Sequence, residues 1–276
     1  MSLLVLKHGH THREDGSDPA QVSASGITNP ANLGVGNDGS WDLPPHANVS
    51  QWWGFTEDFN SIQSGSGFGY AGNGIHVVSG TGTANTASVG DQQGWGNLVH
   101  QLGTGGVTSD YSFWGNISQS PIRLGAGQVL HRIRVKFSAL SDGTNTYGFR
   151  SGLISNSSGT VPTDGVFLRY LSTTSANWLL VTRSNGTETE VDTGIAVTTA
   201  YQSVGWLINS SATSVRFYYL TGGRWAAAGS PSTTNIPTAS GRETGFGHII
   251  YRLAGTTNRS CTVDYHSTWC RFASMR

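Results

Sequence analysis

Three histidines near the N-terminus have the spacing of a row of metal ligands. His8, His10 and His12 stand at positions i, i+2 and i+4, so in an extended segment their imidazoles point to one face. Imidazole nitrogens bind Fe, Ni and Zn, and three chains meeting on a three-fold axis could complete the coordination sphere. The row predicts a shared metal site of this kind. The alternative is a polar segment that packs on a neighbouring protein without a metal.

Three acidic residues further along the chain alternate in the manner of one face of a β-strand. Glu188, Glu190 and Asp192 follow the hairpin-turn signal of Asn185 and Gly186. Glycoside hydrolysis needs two carboxyl groups about 5 to 9.5 Å apart around the sugar bond, one of them held protonated. The Glu-x-Glu-x-Asp order directly after a hairpin lacks the extra spacing of sandwich-fold glycosidases. We therefore expect a solvated strand face, no catalytic residues and no enzymatic activity.

The nine tryptophans divide into two groups by their surroundings. Trp178 and Trp206 lie within apolar runs, and we expect them in the core. Others adjoin glycine or polar residues in predicted loops, where an exposed ring can stack on the apolar face of a sugar. The alternative is that these rings cover the ends of the domain or are buried between subunits. The candidate glycan-binding tryptophans are Trp53, Trp95, Trp114 and Trp225.

Residues 128–140 give the strongest strand signal of the chain. Apolar residues and one histidine occupy every second position from 129 to 137, and Arg132, Arg134 and Lys136 lie between them. Alternation with a period of two predicts a strand that is buried on one side. The basic row then faces outward, toward an acidic polysaccharide, another subunit or solvent.

The composition favours an all-β protein. The chain has 276 residues and 38 glycines, and its 16 Lys and Arg balance 16 Asp and Glu. Short strand-like runs separated by turn residues follow one another from residue 52 onward, which is typical of a β-sandwich or barrel. Zero net charge argues against nucleic-acid binding, and no apolar stretch is long enough for membrane insertion.

The chain divides into two parts by composition. Residues 1–50 are polar and rich in Gly, Asn, Ala and Pro, so they are predicted to form an extended attachment arm that is ordered only against a neighbour. Residues 51–276 are predicted to form the sandwich. Within it, Cys261 and Cys270 are expected to be buried free thiols. If one strand contains both, their odd spacing predicts opposite faces.

Two groups of motifs resemble parts of phage tail-fibre and spike proteins. Residues 7–12 (Lys-His-Gly-His-Thr-His) precede a Gly-Ser-Asp-Pro turn at residues 16–19, as near the N-terminus of many such proteins. The second group resembles the concanavalin-A-like sandwich at the ends of tail fibres. Its motifs occur in order at residues 140–146, 162–167, 178–181, 185–187, 192–194, 235–237 and 255–259.

The resemblance implies a virion protein made in the cytoplasm of a host bacterium. Residues 1–50 would join other virion proteins, His8, His10 and His12 would hold the metal, and the chain would be a homotrimer. The sandwich, a jelly-roll or concanavalin-A-like fold, would bind host-surface polysaccharide. Since the chain lacks the long shaft of many tail fibres, a head spike is as consistent as a tail fibre. Two alternatives stay open: a purely architectural capsid or tail protein, and a glycan-cleaving enzyme.

Overall fold

The fold is described from a computed structural model of the chain. The structure describes three continuous stretches and, as backbone alone, three earlier strands: residues 97–103, 110–117 and 122–272, with Trp52–Glu57, His76–Ser79 and Thr83–Ala87. The predicted arm, with His8, His10 and His12, lies outside these residues, as does Trp95. No helix in the described part of the chain is long and apolar enough to span a membrane.

The described residues form fifteen β-strands. In chain order they are β1 (Trp52–Glu57), β2 (His76–Ser79), β3 (Thr83–Ala87), β4 (Asn97–Gln101), β5 (Tyr111–Asn116), β6 (Gly127–Phe137), β7 (Thr146–Ile154), β8 (Gly165–Leu171), β9 (Ser175–Ser184), β10 (Thr187–Ala196), β11 (Gln202–Ile208), β12 (Val215–Thr221), β13 (Arg224–Ser232), β14 (Gly245–Ala254) and β15 (Ser260–Phe272).

The strands form two antiparallel sheets that pack face to face. The eight-stranded sheet has the order β13-β12-β11-β6-β15-β4-β3, and β1 also pairs with β15. The seven-stranded sheet has the order β10-β9-β8-β7-β14-β5-β2. Their inner faces share one apolar core. The all-β sandwich predicted from the sequence is therefore confirmed.

Strand β6 shows how alternation in the sequence positions the basic row. Val129, Ile133 and Phe137 are at most 3% exposed in the core, while Arg134 and Lys136 are partly exposed on the other face. Trp178 and Trp206 are fully buried, as predicted. The turn of Asn185 and Gly186 has positive φ at both residues, which a two-residue type I′ hairpin requires.

The two cysteines lie on the same face of β15, contrary to the prediction from their odd spacing. Both are free thiols in the core, in agreement with the other half of that prediction. The register of β15 against β6 shifts between Val263 and Tyr265, which marks a β-bulge. A bulge adds one residue to a strand and reverses the alternation beyond it, so Cys261 and Cys270 both point inward.

Four described strands, β1, β3, β5 and β13, were not predicted from the sequence. Strands β5 and β13 contain Trp114 and Trp225, which were assigned to loops because glycine or polar residues lie nearby. Gly115 in β5 approaches the neighbouring strand so closely that a Cβ atom would lie 2.2 Å from the Phe246 carbonyl oxygen. Glycine here permits close strand packing and does not mark a turn.

The outer faces of the two sheets differ. On the seven-stranded sheet, a second apolar cluster that includes Phe113, Phe167 and Ile249 is buried. The segment of residues 155–164 passes over part of this face: the guanidinium of Arg150 donates hydrogen bonds to carbonyl oxygens at residues 159 and 160. Part of this outer face is therefore covered by the chain itself.

A chain of hydrogen bonds runs through the core and passes between the sheets four times. Ser112, His248 and Ser151 belong to the seven-stranded sheet, and the other members belong to the eight-stranded sheet. All are buried, and consecutive side chains are joined by contacts of 2.7–3.3 Å. The order is Ser112, His100, His248, His266, Thr268, His131 and Ser151.

Burial keeps these four histidines neutral. It lowers the pKa of His100 and His266 to about 3. It also lowers the pKa of His131 and His248 well below 6.5, and neighbouring histidines add to the effect. An imidazolium in this core would lose its hydration, which opposes the charged form. The unfolded chain has no such constraint, so it takes up protons near the ordinary pKa of about 6.5.

We expect the protein to be sensitive to mild acid. Above about pH 6.5 the four histidines are neutral in both the folded and the unfolded protein, and their contribution to stability is complete. Below it the unfolded chain binds protons that the folded chain does not. The free energy of unfolding should then fall by up to about 5 kcal/mol per pH unit. Urea unfolding of the full chain at about pH 7.5, 6.5 and 5.5 measures this, because most carboxylates titrate only below about pH 5.

A variant that removes one of these groups provides the control. His266→Asn should reduce the slope of stability against pH by about one quarter, whatever its effect on stability at neutral pH. A free energy of unfolding that stays constant between about pH 7 and pH 5 would contradict the prediction.

Candidate functional site

Basic and aromatic side chains gather on the outer face of the eight-stranded sheet, which we call the basic-aromatic face. Pairing of β6 with β11 and β15 places Arg132 opposite Gly205 and Ser267, and Arg134 opposite Tyr265. The face continues across β12 and β13. Its members are Arg132, Arg134, Lys136, Tyr201, Tyr218, Trp225 and Tyr265.

Tyr201 organises one half of this face. The guanidinium of Arg134 lies 4.3 Å from the centre of its ring, and the ammonium of Lys136 lies 4.4 Å from it. Arg134 also forms an ion pair with Asp264 in the bulge of β15. Together with Leu220 and neighbouring residues, Arg134 and Tyr201 line an open depression of about 280 Å³. The contacts hold the ring and both cations in fixed positions.

Arg132 and Trp225 form the other half. The guanidinium lies 5.9 Å from the centre of the Trp225 ring, and the Arg132 side chain is 92% buried, with 8% of its surface exposed. Burial lowers the pKa of Arg132 from its ordinary value, and Tyr265 opposes this shift. Tyr265 itself forms a hydrogen bond with Ser203, which holds its ring across β6 beside the arginines.

The predicted binding residues have different positions. Arg132, Arg134 and Trp225 lie together on the basic-aromatic face, although Trp225 is in strand β13 and not in a loop. Trp114 was predicted to be an exposed loop residue, and this is wrong: it is 1% exposed within β5, stacked on His248. Trp53 pairs with Cys270 through its backbone in β1. Its side chain lies outside the described residues.

Three tyrosines of the face were missed by the sequence analysis. Tyr218 alternates with buried residues along β12, a signal that could have placed it beside the basic row. Tyr201 lies just outside β11, where alternation gives no information. Tyr265 faces outward because of the bulge in β15, which nothing in the sequence pattern indicates.

Two of the three acidic residues of β10 pair with arginine, and the third accepts hydrogen bonds. Arg169, 4% exposed, forms ion pairs with Glu188 and Glu190, and Arg183 also pairs with Glu188. The pKa of Asp192 is lowered, first by the Ser175 hydroxyl and then by a backbone N–H. The predicted solvated face is thus an ion-paired network. The acid of a glycosidase must be a carboxyl group that is held protonated. Carboxylates that are paired with arginine or accept several hydrogen bonds do not meet that need.

Two Ser–His pairs lie within hydrogen-bonding distance in the core. The contacts are 2.7 Å between Ser112 Oγ and His100 Nδ1, and 2.9 Å between Ser151 Oγ and His131 Nε2. Nucleophilic catalysis uses such pairs, but all four residues here are fully buried. A substrate could reach them only if the sheets separated, so these pairs serve packing and not chemistry.

No group of three or more His, Cys, Asp or Glu side chains arranged to hold a metal ion occurs among the described residues. The core histidines hydrogen-bond one another instead of converging on a point. The metal site predicted at His8, His10 and His12 lies outside the described residues and stays a prediction.

A family model for the SO2946-like, C-terminal domain matches residues 96–264, more than half of the chain. No curated protein sequence was found to match. Among solved structures, the fold is similar to that of SO2946, a protein of unknown function from Shewanella oneidensis. That likeness has 14% identity and a TM-score of 0.56, over 82% of this chain and 89% of that one.

Two further solved structures are those of proteins named as a glucanase and a lectin. An endo-1,3-β-glucanase from Streptomyces sioyaensis has 11% identity and a TM-score of 0.50, over 84% of this chain and all of that one. Peanut lectin, solved with a nine-residue peptide, has 10% identity and a TM-score of 0.48, over 82% and 100%. The architecture is that of the concanavalin-A-like or jelly-roll sandwiches.

The ion-pair network on β10 gives a prediction about stability. Arg169→Met should lower the free energy of unfolding by about 2 kcal/mol, because it leaves Glu190 without its arginine partner and Glu188 with Arg183 alone. The value is below the roughly 3–5 kcal/mol of a fully buried pair, since both carboxylates keep some contact with water. Urea unfolding at neutral pH measures the change.

The matched control is Arg224→Met, at an exposed position where β13 begins. Its effect should stay within about 0.5 kcal/mol. Equal effects of the two substitutions would mean that the Arg169 network contributes nothing specific to the fold.

Proposed function

The chain belongs to the SO2946-like, C-terminal domain family, and on that premise we propose that it is a non-enzymatic carbohydrate-binding protein. The basic-aromatic face is the binding surface in this proposal. The observation that carries it is the contrast between the sheets. One outer face is covered in part by the chain and carries ion-paired carboxylates, whereas the other presents tyrosine, tryptophan and arginine together. The sandwich fold, which lectins and glucanases share, is consistent with sugar binding.

The chemistry of the face suits a sugar chain. An aromatic ring stacks on the C–H face of a pyranose, and nearby guanidinium and hydroxyl groups hydrogen-bond its hydroxyls. Tyr201 and Trp225 are partly exposed, and Arg134 and Lys136 stand over the Tyr201 ring. Because these contacts fix the side chains before a ligand arrives, binding loses little conformational entropy.

We further propose that the protein is displayed on a phage or phage-like particle, as a tail fibre or head spike. The motifs at residues 7–12 and 16–19 support this. In this proposal residues 1–50 attach the chain to other virion proteins, with Fe, Ni or Zn at His8, His10 and His12, and the sandwich of a homotrimer binds host-surface polysaccharide. Several identical weak sites on one particle would raise the overall avidity by orders of magnitude.

Binding of the full chain to a panel of immobilised bacterial polysaccharides tests the proposal. We expect saturable binding without sugar release, and Trp225→Ala should weaken it about tenfold, the loss of one stacking contact. Val161→Ala is the control, because Val161 is 49% exposed in the segment on the outer face of the other sheet. It should leave binding unchanged.

Three results would contradict the proposal in different ways. Release of sugar would favour a glycan-cleaving enzyme. Failure to bind any polysaccharide, while the chain still joins particles, would favour a purely architectural capsid or tail protein. If Trp225→Ala and Val161→Ala reduce binding equally, the binding site lies outside the basic-aromatic face.

A further inference from the structure

We propose that the basic-aromatic face selects acidic sugars, and that Arg132 binds the carboxylate of a uronic acid residue. The inference rests on the proposed carbohydrate-binding function and names the class of sugar. It depends on one comparison, between Arg132 and the other arginines that are buried to a similar extent.

Four arginines among the described residues are less than 10% exposed: Arg132, Arg150, Arg169 and Arg252. Arg150 donates to two carbonyl oxygens, Arg169 pairs with two glutamates, and Arg252 donates to three carbonyl oxygens and pairs with Asp110. The Nε atoms of all four are buried without a partner, so the difference lies in the terminal nitrogens. Among the residues that the structure describes, Arg132 has no hydrogen-bond or ion-pair partner, and it differs in this from the other three.

A guanidinium in this state is unusual because arginine stays protonated in proteins. The charge cannot be relieved by losing the proton, so burial without an anion is costly. A buried charge is normally paired or hydrogen-bonded. The missing partner of Arg132 is therefore expected to be an anion supplied from outside the described sandwich.

The neighbours of Arg132 include a glycine on β11 and the ring of Trp225. Opposite it on β11 is Gly205, where a Cβ atom would lie 2.3 Å from the His131 carbonyl oxygen and 3.1 Å from Cγ of Arg132. Any larger residue would crowd both the strand and the arginine. The ring of Trp225 lies 5.9 Å from the guanidinium, so a sugar that stacks on the ring brings its substituents within reach of the charge.

The other cations of the β6 row already have partners. Arg134 pairs with Asp264 and stands over Tyr201, and Lys136 stands over the same ring. They position Tyr201 and add positive potential, while Arg132 has its donors available. Since a guanidinium matches a carboxylate through two parallel hydrogen bonds, a uronic acid fits both the charge and the adjacent aromatic surface.

Calorimetry with paired ligands tests the inference on the full chain. The probes are oligosaccharides of galacturonic, glucuronic and mannuronic acid, each beside the same oligosaccharide after reduction of its carboxyl groups to alcohols. We expect at least one acidic form to bind ten times or more tighter than its reduced form. Equal affinity within every pair, or binding of reduced forms alone, would overturn the inference and leave carbohydrate binding intact. Binding of neither form, together with failure on the polysaccharide panel, would overturn the proposed function itself.

Substitution of Arg132 distinguishes a ligand-binding role from a structural one. Arg132→Met replaces the apolar stem of the side chain and removes the guanidinium, and we expect it to abolish the preference for the acidic form. The melting temperature without ligand should stay the same or rise, because an unpaired buried charge has been removed. Arg216→Met, at an exposed position on the same sheet, should keep the preference. A fall of several degrees in melting temperature with the preference retained would show that Arg132 has an internal partner, and would refute the inference.

Discussion

The hydrogen-bonded chain of histidines is the constraint on which this sandwich depends. Two β-sheets can usually slide or splay at little expense to apolar contacts, since the hydrophobic effect has no direction. Hydrogen bonds do have direction, and an unsatisfied polar group in a core is destabilising by about 1–3 kcal/mol. Because every ring nitrogen of His100, His131, His248 and His266 has a partner, the sheets have one relative position that satisfies all eight.

This constraint reaches the outer surface through β6 and β15. His131 and His266 fix the inner faces of these two strands, which pair with each other over most of their length. Side chains on the outer face of β6 and β15 have the same register as those on the inner face. The positions of Arg132, Arg134 and Tyr265 are therefore set by bonds in the core, and a binding surface built on such strands is more rigid than one built on loops.

The sequence predicted much of the fold and less of the site. Alternation along residues 128–140 located both the core face and the basic row. A strand that is buried on one side can be recognised from its own residues alone, because its two faces alternate along the sequence. The two inward cysteines, the outward Tyr265 and the strand around Trp114 escaped prediction. The cysteines and Tyr265 depend on the bulge in β15, and a bulge reverses the alternation without requiring a distinctive residue type. The strand around Trp114 depends on the close strand packing that Gly115 permits. The histidine chain joins residues up to 148 positions apart, and no local spacing can indicate such contacts.

The same chain of histidines also fixes where its protons lie. A neutral imidazole donates at one nitrogen and accepts at the other, so once one ring is assigned, every ring bonded directly to it must follow. From Ser112 to His266 every bond then points the same way, or every bond points the opposite way. The rings of His100, His248 and His266 thus have two collective tautomeric states, and determining the protonated nitrogen of any one of them would assign the other two. The Thr268 hydroxyl can accept hydrogen bonds from both of its histidine neighbours, so the tautomer of His131 is fixed only when Thr268 donates to His266.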